Sequence, residues 1–156
     1  MKPILTIRIL FLVSCLLPVF GADAFYLGTY KIASAVVAPW TDPGSKPDPT
    51  EMKSLVGKIV VIKANEIAGP RQWACKGPKY KVEDFPPDYL FQGAFGEMQR
   101  RDKSVDPAKI AAKLGFHGPT SKALETGCAN ELDLHFVDGT TAEFGLNDYV
   151  YTMKKQ

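Results

Sequence analysis

An antiparallel β-barrel of about seven or eight strands with one short helix is the mainly β fold class this chain predicts. Three observations predict it. Between residues 127 and 153, apolar and polar residues alternate through three runs separated by Asp138-Gly139 and Asn147-Asp148, the pattern of a meander with one buried face. Upstream, short runs rich in β-branched and aromatic residues recur between glycine and proline breakers. Only residues 106–114 combine a helix start, an apolar helical face and a stop. A two-sheet sandwich is the alternative architecture for the same strands.

Parity sets the meander's register, because a one-residue slip turns every side chain to the opposite face. A two-residue Asp138-Gly139 loop would set Leu134 against Glu143. An odd loop, with Gly139 at a positive-φ bulge position, places Leu132, Leu134 and Phe136 with Ala142, Phe144 and Leu146. A two-residue Asn147-Asp148 turn then pairs Leu146 with Tyr149, Phe144 with Tyr151 and Ala142 with Met153. His135 points away from that apolar face, with Glu143 or Thr141 as its cross-strand neighbour.

Taken in order, residues 28–37 read as the first strand, with Tyr30, Ile32, Val36 and Trp40 on one face. Four prolines make 39–50 an irregular loop, and Thr50 is the expected cap of a short helical turn through Leu55. Residues 58–64 are apolar on both faces, as in a central strand, and 65–70 turn the chain. Short strands are expected at 71–75, with Trp73 and Cys75 on one face, and at 79–85, with Tyr80 and Val82 inward. Residues 88–96 set Tyr89, Leu90, Phe91 and Phe95 between breakers and read as a strand or an aromatic-lined loop; 97–105 are charged and expected at the surface. Asp106 is a helix cap, Pro107 a first helical residue and Gly115 a stop, with Ile110, Ala111 and Leu114 on one side. Residues 120–126 give one more strand.

The opening of the first strand resembles that of lipocalin-like, calycin-type small barrels, in which a glycine-x-aromatic pair starts the strand and the ring plugs the barrel floor. Here the pair is Gly28 and Tyr30, with tyrosine where those families usually carry tryptophan. The resemblance implies a barrel that takes a ligand at its mouth, and it transfers no binding residues.

The first 24 of the 156 residues read as an export leader: Lys2 and Arg8, an apolar run from Ile9 to Phe20, and Ala22-Asp23-Ala24 as the cleavage signal, leaving a single domain over 25–156. A lipid anchor at Cys15 is the less favoured processing, because the apolar run continues past the cysteine. Both routes place the domain in the periplasm or outside the cell. No later segment could span a bilayer as a helix. The whole chain carries 19 basic and 17 acidic residues, a balance that gives no electrostatic reason to expect nucleic acid. Cys75 and Cys128, the two cysteines beyond the leader, are expected to form a disulfide in an oxidising compartment.

Catalytic signatures are sparse. His117 and His135 are the only histidines, and the chain has no phosphate loop, nucleophile elbow or metal-ligand spacing, so no cofactor or metal is expected. A surface contact is the expected role of His135, with an envelope enzyme using His135 and a carboxylate as the third reading. The first is a non-enzymatic binding protein for a small apolar or mixed ligand, with Trp40, Tyr89, Phe91 and Phe95 as its candidate ligand-binding rings and the 39–56 loop and 106–114 helix as its rim. The second is a protein-binding inhibitor or immunity module acting on a cell-envelope hydrolase.

Overall fold

The structure, a computed structural model, describes residues 24–156. The leader expected over 1–24, with Cys15, lies outside the described residues except for Ala24. Nine antiparallel strands form one curled half-barrel sheet: β1 (Gly28–Val37), β2 (Ile59–Lys63), β3 (Glu66–Ala68), β4 (Cys75–Lys76), β5 (Lys81–Phe85), β6 (Ser121–Glu125), β7 (Asp133–Phe136), β8 (Thr141–Leu146) and β9 (Tyr149–Lys155). Their order is β4-β3-β2-β1-β9-β8-β7-β6-β5, so the first and last of these strands pair at the centre and the sheet is open between β4 and β5. Among the described residues there are three helices instead of one: α1 (Pro49–Leu55), α2 (Leu90–Arg101) and α3 (Pro107–Lys113), with a 3-10 turn over Pro87–Tyr89 before α2. None is long and apolar enough to cross a membrane.

The meander has the register that parity predicts. Phe136 faces Ala142, Leu146 faces Tyr149, Phe144 faces Tyr151 and Ala142 faces Met153. Gly139 does not supply its first turn, because it is not among the positive-φ residues. Asp138 does so instead: its Oδ1 accepts from the Thr140 and Thr141 N–H groups, each at 2.7 Å, and this side-chain turn makes a left-handed glycine unnecessary.

Two apolar layers lie on opposite faces of the sheet. The inner face gathers Tyr30, Ile32, Val60, Ile62, Leu134, Phe144, Tyr151 and Met153 with Trp73 and Leu55 into one core. Trp73 meets Phe144 edge-on at 4.8 Å, and Phe144 stacks on Tyr151 at 4.8 Å. These rings fill the interior with the protein's own side chains, as small barrels allow. The outer face carries a second layer made by Leu90, Phe91, Phe95, Ala111, Phe116 and Val150.

Several local expectations are corrected. A bulge between Ile32 and Ser34 reverses the parity of β1, so Ala35 packs inward, Val36 is half exposed and Trp40 joins the outer layer. Residues 71–74 form a turn, with Trp73 and Ala74 N–H donating to Pro70 O, and only Cys75 and Lys76 pair as a strand. Residues 66–68, expected to turn, form β3. Asp48, not Thr50, caps α1, accepting from Thr50 N–H at 2.9 Å with Pro49 as first residue. Val82 is 39 % exposed on β5, an edge strand that no further strand among the described residues pairs with.

Cys75 and Cys128 form the expected disulfide, with a Cα–Cα distance of 6.1 Å. Asp106 caps α3 as expected, accepting from Ala108 and Lys109 N–H with Pro107 following. Asp106→Ala is expected to cost about 1 kcal/mol of folding stability. A change below a few tenths in urea denaturation would mean that water replaces the cap without loss.

Candidate functional site

Left-handed backbone marks the place where the helical layer meets the sheet. α2 is interrupted near its start: Phe91 (φ 52, ψ 53), Gln92 (φ 58, ψ 32) and Gly93 (φ 79, ψ 16) are all left-handed, and right-handed helix follows to Arg101. The expectation of a strand or loop over 88–96 fails here. The glycines and rings read locally as breakers and strand formers, but tertiary bonds hold a helical path. Only glycine adopts this conformation without cost; each of the other two residues forfeits on the order of 1–2 kcal/mol.

Two hydrogen bonds hold the turn. The Phe91 N–H donates to His135 Nε2 at 3.0 Å, and Gln92 Nε2 donates to Glu131 O at 2.6 Å. The Phe91 ring lies 4.7 Å from the His135 ring, 5.4 Å from Phe95 and 5.5 Å from Trp40. Gly145 on β8 admits these rings, since a Cβ there would stand 3.0 Å from Trp40 and 3.4 Å from Phe91.

Beside the turn is a cleft of about 180 Å³, lined by Trp40, Phe91, Gln92, Asp133, His135 and Asn147 among others. Phe91, Gln92, Glu131 and Asn147 are the non-glycine residues with positive φ among the described residues. Three of them line this cleft, and the fourth supplies the carbonyl that Gln92 binds.

The polar side chains there are displaced from their usual ionisation. Burial pushes the His135 imidazole down to about 4. Burial and the nearby Glu125 and Glu131 carboxylates push Asp133 up to about 6. Glu143, opposite His135 on β8, is raised by burial to about 7 although Thr152 Oγ1 donates to it at 3.2 Å. Among the described residues, His135 Nδ1 and Glu143 Oε2 have no hydrogen-bond partner. The expectation that His135 makes a surface contact is corrected: the ring does leave the inner core, but α2 covers it and it is 1 % exposed.

Of the rings singled out by sequence, Trp40 and Phe91 line the cleft, and Phe95 lies buried beside both, 6.2 Å from Trp40. Tyr89 stands apart, 60 % exposed and 6.3 Å from Phe85. The segment after β1 contributes Trp40 to the wall, whereas α3 packs against α2 and lines none of it. Sequence reasoning missed Asp133 and Gln92. Asp133 carried a signal, because it precedes His135 by two residues and so shares its face; Gln92 carried none. Among the described residues, no group of three or more His, Cys, Asp or Glu side chains is placed to hold a metal ion. Compared with protein-family models, with curated proteins and with solved structures, the chain matches none.

Proposed function

We propose that this chain is an exported, non-enzymatic binding protein that takes a small mixed ligand on the outer face of its sheet, in the cleft walled by Trp40, Phe91 and Asp133. The observation that carries this reading is the convergence of left-handed, non-glycine backbone on one small cleft. Such strain persists only where surrounding structure enforces it, and it concentrates at sites that bind. Apolar rings with a few converging polar groups are the usual composition of a ligand site. The calycin-type resemblance at Gly28 and Tyr30 would put the ligand inside the barrel. The filled inner face supports moving it to the outer one.

A non-catalytic role is supported by His135 itself. Its Nε2 lone pair is engaged by the Phe91 N–H and its proton affinity is depressed, so it is poorly placed to serve as a general base. Export is supported by the disulfide and by the leader pattern of residues 1–24.

Fragment titration followed by NMR at the two indole N–H signals tests the reading. Small mixed fragments are expected to move the Trp40 signal and leave Trp73, on the inner face, unmoved. Gly145→Val, which crowds Trp40 and Phe91, should abolish the response in a folded protein. Fragments that move only Trp73, or that bind Gly145→Val equally well, would overturn the outer-face site.

One observation favours a second reading, the protein-binding inhibitor or immunity module. Tyr89 and Val82 expose apolar surface beside edge strand β5, where a partner could add. Recovery of the native protein in a complex lost on Tyr89→Ala and kept in Gly145→Val would favour it.

A further inference from the structure

The walls of the Trp40–Asp133 cleft offer acceptors and ring faces but no cation. Among the described residues, no lysine or arginine lines it. Gln92 commits one amide N–H to Glu131 O and Asn147 one of its own to Glu51 Oε2 at 2.7 Å, which leaves each with its amide oxygen as an acceptor and one further N–H. Trp40 likewise commits Nε1 to Asn147 O at 3.0 Å, so its ring face is what remains for a ligand.

The Asp133 carboxylate has negative neighbours. Glu125 is its cross-strand partner on β6, and Glu131 lies on the approach to β7. Asp88, from the 3-10 turn, and Arg100, from α2, share a neighbouring depression with Asp133 beyond Gln92. Arg100 is bound to Glu97, 2.9 Å from Nε, and Lys81, beside Glu125, to Glu83 at 2.8 Å, so both of these cations are already paired. A carboxylate repelled by its neighbours gains most from a positive ligand.

His135 adds a buried donor. Because Nε2 accepts from Phe91, the neutral ring carries its proton on Nδ1, which is buried and has no partner among the described residues. A donor in that position suits a ligand oxygen.

Resting on the outer-face reading above, we propose that the cleft binds a small organic ammonium ion: the charged nitrogen on Asp133, the carbon body against Trp40 and Phe91, and any ligand oxygen on His135 Nδ1. The volume holds a body near the size of benzene, which occupies cavities of about 150 Å³ elsewhere. Ring faces add attraction for a cation.

Benzylammonium, benzyl alcohol and benzoate vary charge at one size and provide the test. They are titrated into the whole protein while the Trp40 and Trp73 indole signals, assigned with Trp40→Phe, are followed. At pH 7.5, benzylammonium is expected to move the Trp40 signal and to bind about tenfold tighter than benzyl alcohol, with benzoate weakest. Asp133→Asn should reduce the difference to about twofold. The wild-type protein supplies a control independent of that variant's folding. Asp133 titrates near 6, so between pH 7.5 and 5 the benzylammonium affinity should fall severalfold while that of benzyl alcohol stays constant.

Equal binding of benzylammonium and benzyl alcohol at the Trp40 signal, or an ammonium affinity that ignores pH, overturns the ammonium proposal and leaves the cleft intact. If none of the three probes moves Trp40, or only Trp73 responds, both the proposal and the outer-face site fall.

Discussion

Replacing Cys75 and Cys128 together by alanine is expected to remove about 4 kcal/mol of stability, the loop-closure term for their separation of 53 residues. The bridge fastens the open side of the half-barrel: Cys75 belongs to edge strand β4, and Cys128 lies between β6 and β7 near the other edge. Hydrogen bonds cross the same gap, from Tyr80 OH to Lys63 O at 2.8 Å and Asn130 Nδ2 to Gln72 O at 2.6 Å. β3 and β4 have three and two residues, too few to hold an edge alone. Without the bridge, the melting temperature should fall by on the order of 15 °C. The amide of Ile67 should exchange much faster, while that of Tyr151 at the sheet centre changes only with global stability. A loss under 1 kcal/mol in urea denaturation would show that the hydrogen bonds alone close the gap.

The fold was legible where one physical rule acted locally. Alternation over 132–153 places Leu134, Phe144 and Tyr151 on one face because only one parity keeps carboxylates out of the core, and Asp106-Pro107 satisfies a helix N-terminus within three residues. Legibility ended where distant groups decide. Nothing near Ala33 announces the bulge that turns Trp40 outward; it shows only in the pairing with β9, more than a hundred residues away in sequence. The start of α2 is a stronger case. Phe91 and Gln92 disfavour left-handed backbone, and they adopt it because the His135 imidazole and the Glu131 carbonyl receive their N–H groups.

The candidate site was therefore half legible. Trp40, Phe91 and Phe95 stood out as more ring surface than one small core needs, and the second, outer layer explains that excess. The same count included Tyr89, since ring chemistry is identical in a wall and on an exposed turn. Asp133 and His135 read as the solvated face of a strand. A sheet covered by a helical layer on its second side has no solvated face there, and no signal in 88–101 announced the cover.

Glu143→Gln is expected to stabilise the protein by about 3 kcal/mol at pH 8 and to change little at pH 4.5, judged from the rise of its carboxyl from 4.5 to about 7 on folding. Between those values the folded protein keeps a proton that the unfolded chain has released. The stability this supplies is fully present below pH 4.5 and is lost as pH rises through 7. His135 has the opposite slope: its ring stays neutral in the fold down to about 4, so its contribution is full above 6.5 and declines as the unfolded chain takes up a proton below that. From pH 4.5 to 6.5 the two neighbours offset each other, and the cross-strand pair buffers the fold against pH. Removing the carboxylate exposes the histidine slope, so the variant should lose about 1.4 kcal/mol per pH unit on acidification relative to its own plateau, apart from the other carboxylates. Urea denaturation of both proteins at half-unit steps from pH 4.5 to 8 measures the difference. Parallel curves would mean that Glu143 finds a partner for Oε2 in solution and titrates like an ordinary glutamate.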